Sequence, residues 1–229
     1  MSQPLTVLVV GASRGLGLAL ADEWCGRACR VIATVRSRAE GVQALARRYP
    51  GSLEIETVDI TKAESVAALR RRLDDRRLDV LFINAGIARA IEATPADADE
   101  RDFLDMMLTN ALSPVRAVEM LGDLVPAGGI LAVMTSELGS IANSAGFWQL
   151  YSSSKAALNM LMKGFAGRRP DDRRAILLVA PGWVRTEMGS EDATLSVEES
   201  IPLVVDMLQA NRGKPGLRYL DRFNQPLPW

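Results

Sequence analysis

Tyr151 and Lys155 stand four residues apart in the run Tyr-Ser-Ser-Ser-Lys, which continues as Ala156, Ala157 and Leu158. In a helix, residues four apart lie one turn above each other, so the phenol and the ammonium would share a face. A phenol ordinarily loses its proton at about pH 10, and a cation close by favours the phenolate, which would make Tyr151 a usable acid or base nearer neutrality. With three tyrosines and four lysines in 229 residues, such a pair also arises by chance, so the surrounding chain must carry the reading.

The chain contains no histidine, which removes His-based general bases, Ser-His-Asp triads and the commonest transition-metal ligand. Proton chemistry then falls to Tyr, Lys, Asp, Glu or Cys. Cys25 and Cys29 are too few for a four-ligand metal centre and read as packing thiols, so no metal is expected. A net charge of −1 gives no electrostatic footprint for nucleic acid or an anionic membrane surface. Apolar residues make up 48% and charged residues 24%, as in globular chains. There is no secretory leader and no apolar run of about 18 to 20 residues, so a cytoplasmic protein is expected.

The elements that would position Tyr151 alternate. Residues 5–10 are a short apolar run of the kind a strand buried on both faces shows. It leads through Gly11, Ala12, Ser13, Arg14, Gly15, Leu16 and Gly17 into a helix-like stretch, 18–24. Glycines there allow a tight turn, close approach of backbone N–H groups to a phosphate, and close packing of helix on strand. A bare glycine turn without ligand is the alternative. Residues 30–35 read as the next strand, followed by Arg36, Ser37 and Arg38. Dinucleotide folds place an acid about here to grip the ribose of NAD. This chain has none; Arg36, with Arg14 in the glycine turn, suits a 2′-phosphate instead, which favours NADP(H) over NAD(H). In a chain with 23 arginines against four lysines, chance placement is the alternative.

A helix over 39–48 leads to a strand at 53–58 that ends at Asp59 and Ile60. Asp59 there either faces a ligand or caps the helix expected over 62–75. A fourth strand, 78–83, runs into Asn84, Ala85 and Gly86. A long amphipathic stretch over 97–124 contains Asn110, with Pro114 four residues on. The proline leaves the Asn110 carbonyl without its helical partner, which predicts a kink or an open acceptor. The fifth strand, 129–134, precedes Ser136, fifteen residues before Tyr151. Phe147 and Trp148 then form an apolar pair that either marks a binding surface or covers the core. A sixth strand at 176–180 leads to Pro181, Gly182, Trp183, Val184 and Thr186. A helix over 196–209 begins with a Ser196–Glu199 capping box, a last strand spans 217–221, and Trp229 docks on this subunit or a neighbour. The alternation predicts an α/β fold. Residues 1–229 would form one domain of the Rossmann type, with a doubly wound parallel sheet of about seven strands and helices on both faces.

In order and spacing, the Gly11–Gly17 turn, Asp59, Asn84-Ala85-Gly86, Asn110, Ser136, Tyr151-x-x-x-Lys155 and Pro181-Gly182 resemble the short-chain dehydrogenase/reductase family. Leu138–Ala142 and the Pro-Leu-Pro-Trp end are most similar to its short bacterial C-factor-like members and to the sniffer-type carbonyl reductases. The resemblance implies a catalytic set of Asn110, Ser136, Tyr151 and Lys155. Tyr151 exchanges a proton with the carbonyl or alcohol oxygen, Lys155 lowers its pKa and holds the nicotinamide ribose, Ser136 bonds the substrate oxygen and Asn110 anchors a water. It further implies that Gly11, Ser13, Arg14, Gly15, Leu16 and Gly17 cradle pyrophosphate, Arg36 the 2′-phosphate, Asp59 and Ile60 the adenine, and Asn84, Ala85 and Gly86 the ribose. Pro181, Gly182, Val184 and Thr186 would line the nicotinamide end, the last two at its carboxamide. Val10 replaces a common Thr and Ile83 a common Asn, and the segment between Thr186 and Ser196, a substrate lid in larger relatives, is short. The expected activity is NADP(H)-dependent reduction of a small to medium apolar ketone or aldehyde, its apolarity suggested by Phe147, Trp148, Trp183 and Met188. The other reading is an NADP(H)-binding signalling or regulatory protein with little or no turnover. A homodimer or homotetramer is the family's usual assembly.

Overall fold

Apolar runs buried on both faces make strands, and the small or glycine residues after them turn the chain at the sheet edge. The strands are β1 (Thr6–Val10), β2 (Arg30–Val35), β3 (Leu53–Thr57), β4 (Val80–Ile83), β5 (Ile130–Met134), β6 (Ala175–Ala180) and β7 (Gly216–Asp221). The helices are α1 (Gly15–Gly26), α2 (Glu40–Arg48), α3 (Ala63–Arg72), α4 (Glu100–Met106), α5 (Ser113–Leu121), α6 (Gln149–Gly167) and α7 (Val197–Asn211). This computed structural model describes residues 3–37 and 39–229; Arg38 lies outside them. The predicted elements are present, most with ends shifted by one to three residues.

All seven strands are parallel, in the order β3-β2-β1-β4-β5-β6-β7. Side chains alternate across the sheet. Val7 and Val9 join the layer under α1, α2 and α7, whereas Leu8 and Val10 join the layer under α3, α5 and α6. Each such fully buried side chain contributes about 1.5–3 kcal/mol. Cys25 and Cys29 are free thiols within the first layer, and burial pushes the Cys25 thiol up to about 12, in keeping with a packing role. The Ser196–Glu199 capping box starts α7 as expected, with both reciprocal bonds made. Among the described residues, no helix is long and apolar enough to cross a membrane.

The stretch expected as one helix over 97–124 is broken. Between α4 and α5 the chain makes a π-helical turn, Met107–Leu112, in which the Ser113 N–H bonds the Leu108 carbonyl five residues back. Pro114 has no N–H to offer the Asn110 carbonyl and needs room for its ring, and the wider turn accommodates both. The turn sets Asn110 inward, fully buried.

Candidate active site

The strand order reverses between β1 and β4, and in open parallel sheets the crevice at the carboxyl end of such a pair is where ligands lie. Two turns shape it. At Gly11 the chain adopts φ +92°, which glycine takes without strain. The Gly11 N–H donates to the Thr34 hydroxyl (3.1 Å), and the Ala12 N–H to the Thr34 carbonyl (2.7 Å). From β4, the Asn84 amide donates to the Gly11 carbonyl (2.8 Å), while the Asn84 and Ala85 N–H groups share the Val10 carbonyl. Arg14 precedes α1 in extended conformation with no side-chain cap, and the first turn has no acidic residue. The leading amides of α1 are therefore open to an anion. A Cβ on Gly86 would lie 3.3 Å from Asn110 Oδ1 and 3.6 Å from Lys155 Nζ, so a side chain there would crowd the floor between them. An unblocked helix terminus beside a side-chain-free channel fits a dinucleotide.

α6 carries Tyr151 and Lys155 on one face, as the spacing predicts, 9% and 3% exposed. Lys155 Nζ donates to the Met134 carbonyl (3.0 Å) and lies 5.6 Å from the centre of the Tyr151 ring. Burial pushes the Tyr151 phenol above its ordinary value of 10, partly offset by hydrogen bonding with Ser136. This corrects the expected lowering by Lys155. The ammonium is directed at a carbonyl and the ring, not at the phenolic oxygen, and desolvation dominates. Ser136 follows β5. Its Oγ accepts the Leu138 N–H (3.2 Å), leaving its own proton to give. Asn110 Oδ1 accepts the Ile87 N–H and its Nδ2 donates to the Ile87 carbonyl (both 2.8 Å) and to Ser154 (3.0 Å). The side chain thus pins the loop after Gly86 to α6, and a water would have to bind its backbone carbonyl.

A chain of aromatic side chains leads outward from the Tyr151 ring. Trp148 meets the Tyr151 ring edge to face (5.7 Å), Phe147 stacks on Trp148 (5.4 Å) and Trp183 meets Phe147 at 6.4 Å. The two readings of the Phe147–Trp148 pair divide between its members. Trp148 is half-buried against the cluster of Met106, Leu150 and Tyr151, whereas Phe147 is 50% and Trp183 40% exposed. Trp148 sits at φ +47°, a left-handed conformation costly for a bulky side chain. Phe147 stacked on its ring and the edge-to-face contact with Tyr151 hold it there.

Residues 5–195 match the sequence profile of the short chain dehydrogenases. The chain belongs to the short chain dehydrogenase family. Its fold superposes with a TM-score of 0.97 on a putative short-chain dehydrogenase/reductase from Burkholderia multivorans with bound NADP, at 48% identity over 99% of this chain and 100% of that one. A carbonyl reductase from Pseudomonas aeruginosa PAO1 in complex with NADP matches with a TM-score of 0.91, at 39% identity over 99% and 100%. The C-signal protein of Myxococcus xanthus is 31% identical over 155 residues, 66% of this chain and 93% of that protein. The resemblance read from the motifs therefore holds.

Around the cleft of this short-chain dehydrogenase, Asp59 does not cap α3, whose N-cap is Lys62. Its Oδ1 accepts the Thr61 N–H (3.0 Å) and hydroxyl (2.6 Å), and these bonds, the hydroxyl's above all, hold the carboxyl below its usual value. Ile60 is buried beneath it. Arg36 is exposed and contributes to that lowering. Arg14 pairs with Glu187 in an exposed contact. The loop holding Glu187 is closed by a bridge between Val184 and Leu195, and it arches back so that Thr186 flanks Gly15. Pro181 accepts a hydrogen bond from Ser200 (2.7 Å), Gly182 turns at φ +85°, and the Trp183 indole donates to the Gly189 carbonyl (2.7 Å). Ser13 is exposed, and Leu16 packs on the core. Trp229 docks on its own subunit. Its carbonyl accepts the Ala142 N–H (3.0 Å) and its ring packs on Tyr219 (5.6 Å). Sequence reasoning missed Thr34, Asn159 and Tyr219. Asn159 alone carried a signal, as the next residue on the Tyr151–Lys155 stripe.

Lys155 has a testable titration. Burial lowers its pKa from 10.5 to about 8. Between those values the unfolded chain holds a proton that the folded chain has lost, so unfolding free energy rises with pH through the window; below pH 8 both states are charged and the full cost of burial applies. Relative to Lys155→Met, the wild type without nucleotide should gain about 1.4 kcal/mol per pH unit between pH 8 and 10 in urea unfolding. A difference flat across that range would mean that the ammonium is not desolvated.

Proposed function

We propose that the chain is an NADP(H)-dependent carbonyl reductase that acts on small to medium apolar ketones or aldehydes, with Tyr151 as general acid/base. The observation that carries this is the buried Tyr151 phenol on one face of α6 with Lys155, held protonated by burial that Ser136 partly offsets, with Trp148 edge to face on its ring and Phe147 and Trp183 extending the aromatic cluster. A proton donor with a second hydroxyl nearby and aromatic rings beside it is what the oxygen of an apolar carbonyl compound needs as negative charge develops on it. The nicotinamide cofactor, when bound, supplies the hydride or takes it in the reverse direction. The residues do the rest. Ser136 donates to the substrate oxygen and Tyr151 delivers its proton there, while Lys155, which with Asn110 flanks Gly86, holds the nicotinamide ribose. The open amides of α1 hold pyrophosphate, Asp59 and Ile60 border the adenine, and Arg36 takes the 2′-phosphate. The similar proteins that contain NADP support this cofactor. A protein that only bound nucleotide would have no use for Asn110, Ser136, Tyr151 and Lys155 together, which argues against the regulatory reading. Pairing is proposed through the stretch from α4 through the π-helical turn to α5, and through α6, which expose Leu104, Leu112, Met160 and Leu161.

The purified protein should oxidise NADPH with at least one carbonyl in a panel of aromatic and aliphatic aldehydes and ketones, and NADH more slowly. Arg36→Asp removes the charge-assisted bonds to the 2′-phosphate and sets an anion against it. NADPH should then bind about 30-fold or more weakly, about 2 kcal/mol or more, while NADH changes by less than about threefold, as read by fluorescence titration. Equal losses for the two nucleotides would remove the 2′-phosphate argument.

A further inference from the structure

Beyond β5 the chain leaves the sheet, and Thr135 is the last residue whose N–H bonds β6, at the Val179 carbonyl (2.9 Å). The segment that follows has no strand partner; the Ser136 carbonyl accepts the Gly139 N–H within the turn (2.9 Å), which leaves its second lone pair free. Two buried side chains from distant elements tie this turn to the rest of the fold. Tyr219, on β7 and 2% exposed, donates its hydroxyl to the Ser136 carbonyl (2.5 Å). Asn159, one turn beyond Lys155 on α6 and 3% exposed, accepts the Thr135 hydroxyl at Oδ1 (2.8 Å) and donates from Nδ2 to the Gly139 carbonyl (3.1 Å). The fit leaves no slack, since a Cβ on Gly139 would lie 2.9 Å from Asn159 Nδ2. Tyr219 is itself braced by the Trp229 ring. Burial pushes its phenol up, so it remains a donor at any pH the protein would meet.

We propose that Tyr219 and Asn159 are positioning residues that hold the Ser136 peptide so that its hydroxyl proton is aimed at the substrate oxygen beside Tyr151. The inference rests on the carbonyl-reductase reading and goes beyond it by assigning work to residues that touch neither substrate nor cofactor. The Tyr219 bond fixes the orientation of the Ser136 peptide plane, and Asn159 fixes both sides of the segment around it. With the Leu138 N–H on Ser136 Oγ, one of the two acceptor lone pairs is occupied, which narrows the directions open to the hydroxyl proton.

Tyr219→Phe keeps the ring against Trp229 and removes only the hydroxyl. Amide hydrogen exchange at Leu138 and Gly139, whose N–H groups bond Ser136, should become about tenfold faster. In carbonyl reduction, kcat should fall about tenfold, the KM for NADPH should not change, and the same substitution in a Ser136→Ala background should cost less than about twofold. Asn159→Leu should show the same dependence on Ser136. Unchanged exchange at both amides, or an equal kcat loss in both backgrounds, would overturn the proposal. Wild-type turnover in Ser136→Ala would remove the role given to Ser136 above and the positioning claim with it. If no carbonyl is reduced at all, the exchange measurement still decides whether Tyr219 holds the segment, because it needs no turnover.

Discussion

Tyr151→Phe should lower kcat for carbonyl reduction by about a thousandfold and leave the Kd for NADPH within about threefold of wild type. General acid catalysis by a positioned group contributes about 10²–10⁴, and no other group is placed to replace this one. Lys155 donates to the Met134 carbonyl and sits beside the ring, whereas Ser136, in the role proposed above, already spends its one proton on the hydrogen bond to that oxygen. The substitution is also clean. The phenyl ring retains the edge-to-face contact with Trp148 and the packing with Leu150 and Met106. Only the hydroxyl beside Ser136 is lost, and the nucleotide channel, built from the turns after β1 and β4, is not touched. Single-turnover oxidation of bound NADPH measures the chemical step, and fluorescence titration measures binding. Turnover within about threefold of wild type would mean that the proton comes from elsewhere, and the role assigned to the phenol would be wrong.

The parts of this site that could be read from sequence are those that repeat locally. Strands such as Thr6–Val10 announce themselves because both faces are buried and nearly every residue must be apolar. The four-residue spacing of Tyr151 and Lys155 fixes their common face on α6 by helical geometry alone. Pro114 signalled the break at Asn110, because a missing N–H is a property of the residue itself. What was not legible depends on where distant segments meet. The direction of the Lys155 ammonium is decided by the Met134 carbonyl, 21 positions away, and the burial that raises the Tyr151 phenol comes from residues far apart in the chain. Arg14 suited a phosphate by its place in the glycine turn, but Glu187, which it pairs with, lies 173 positions on. Tyr219 in β7 reads simply as a buried aromatic; its hydroxyl finds the Ser136 carbonyl only once β5, β6 and β7 are in register.

Gly17→Ala should be the most damaging small change in the molecule, for reasons of space. Gly17 lies in the first turn of α1 with an ordinary helical backbone, so alanine costs nothing in conformation and would even favour the helix. A methyl group there would lie 2.0 Å from the Gly11 carbonyl oxygen and 2.5 Å from Asn84 Nδ2, where about 3.3 Å or more is needed for ordinary contact. Those two atoms are bonded to each other at 2.8 Å and tie the turn after β1 to the turn after β4. Relief requires α1 to move away from β1 by about 1 Å, against the packing of Leu20, Ala21 and Trp24, none of them exposed. Overpacking of this kind costs about 1–3 kcal/mol, and rupture of the Asn84 bond adds about 1 kcal/mol. The displaced helix terminus would also no longer present its amides to the pyrophosphate, so NADPH affinity should fall about a hundredfold. Gly167→Ala is the control. It lies at the end of α6 with open space around it and should be neutral or stabilising by up to about 1 kcal/mol. Urea unfolding without nucleotide and titration with NADPH read the two consequences separately. Wild-type NADPH binding by Gly17→Ala would show that close approach of α1 to the Gly11 turn is not what the nucleotide requires.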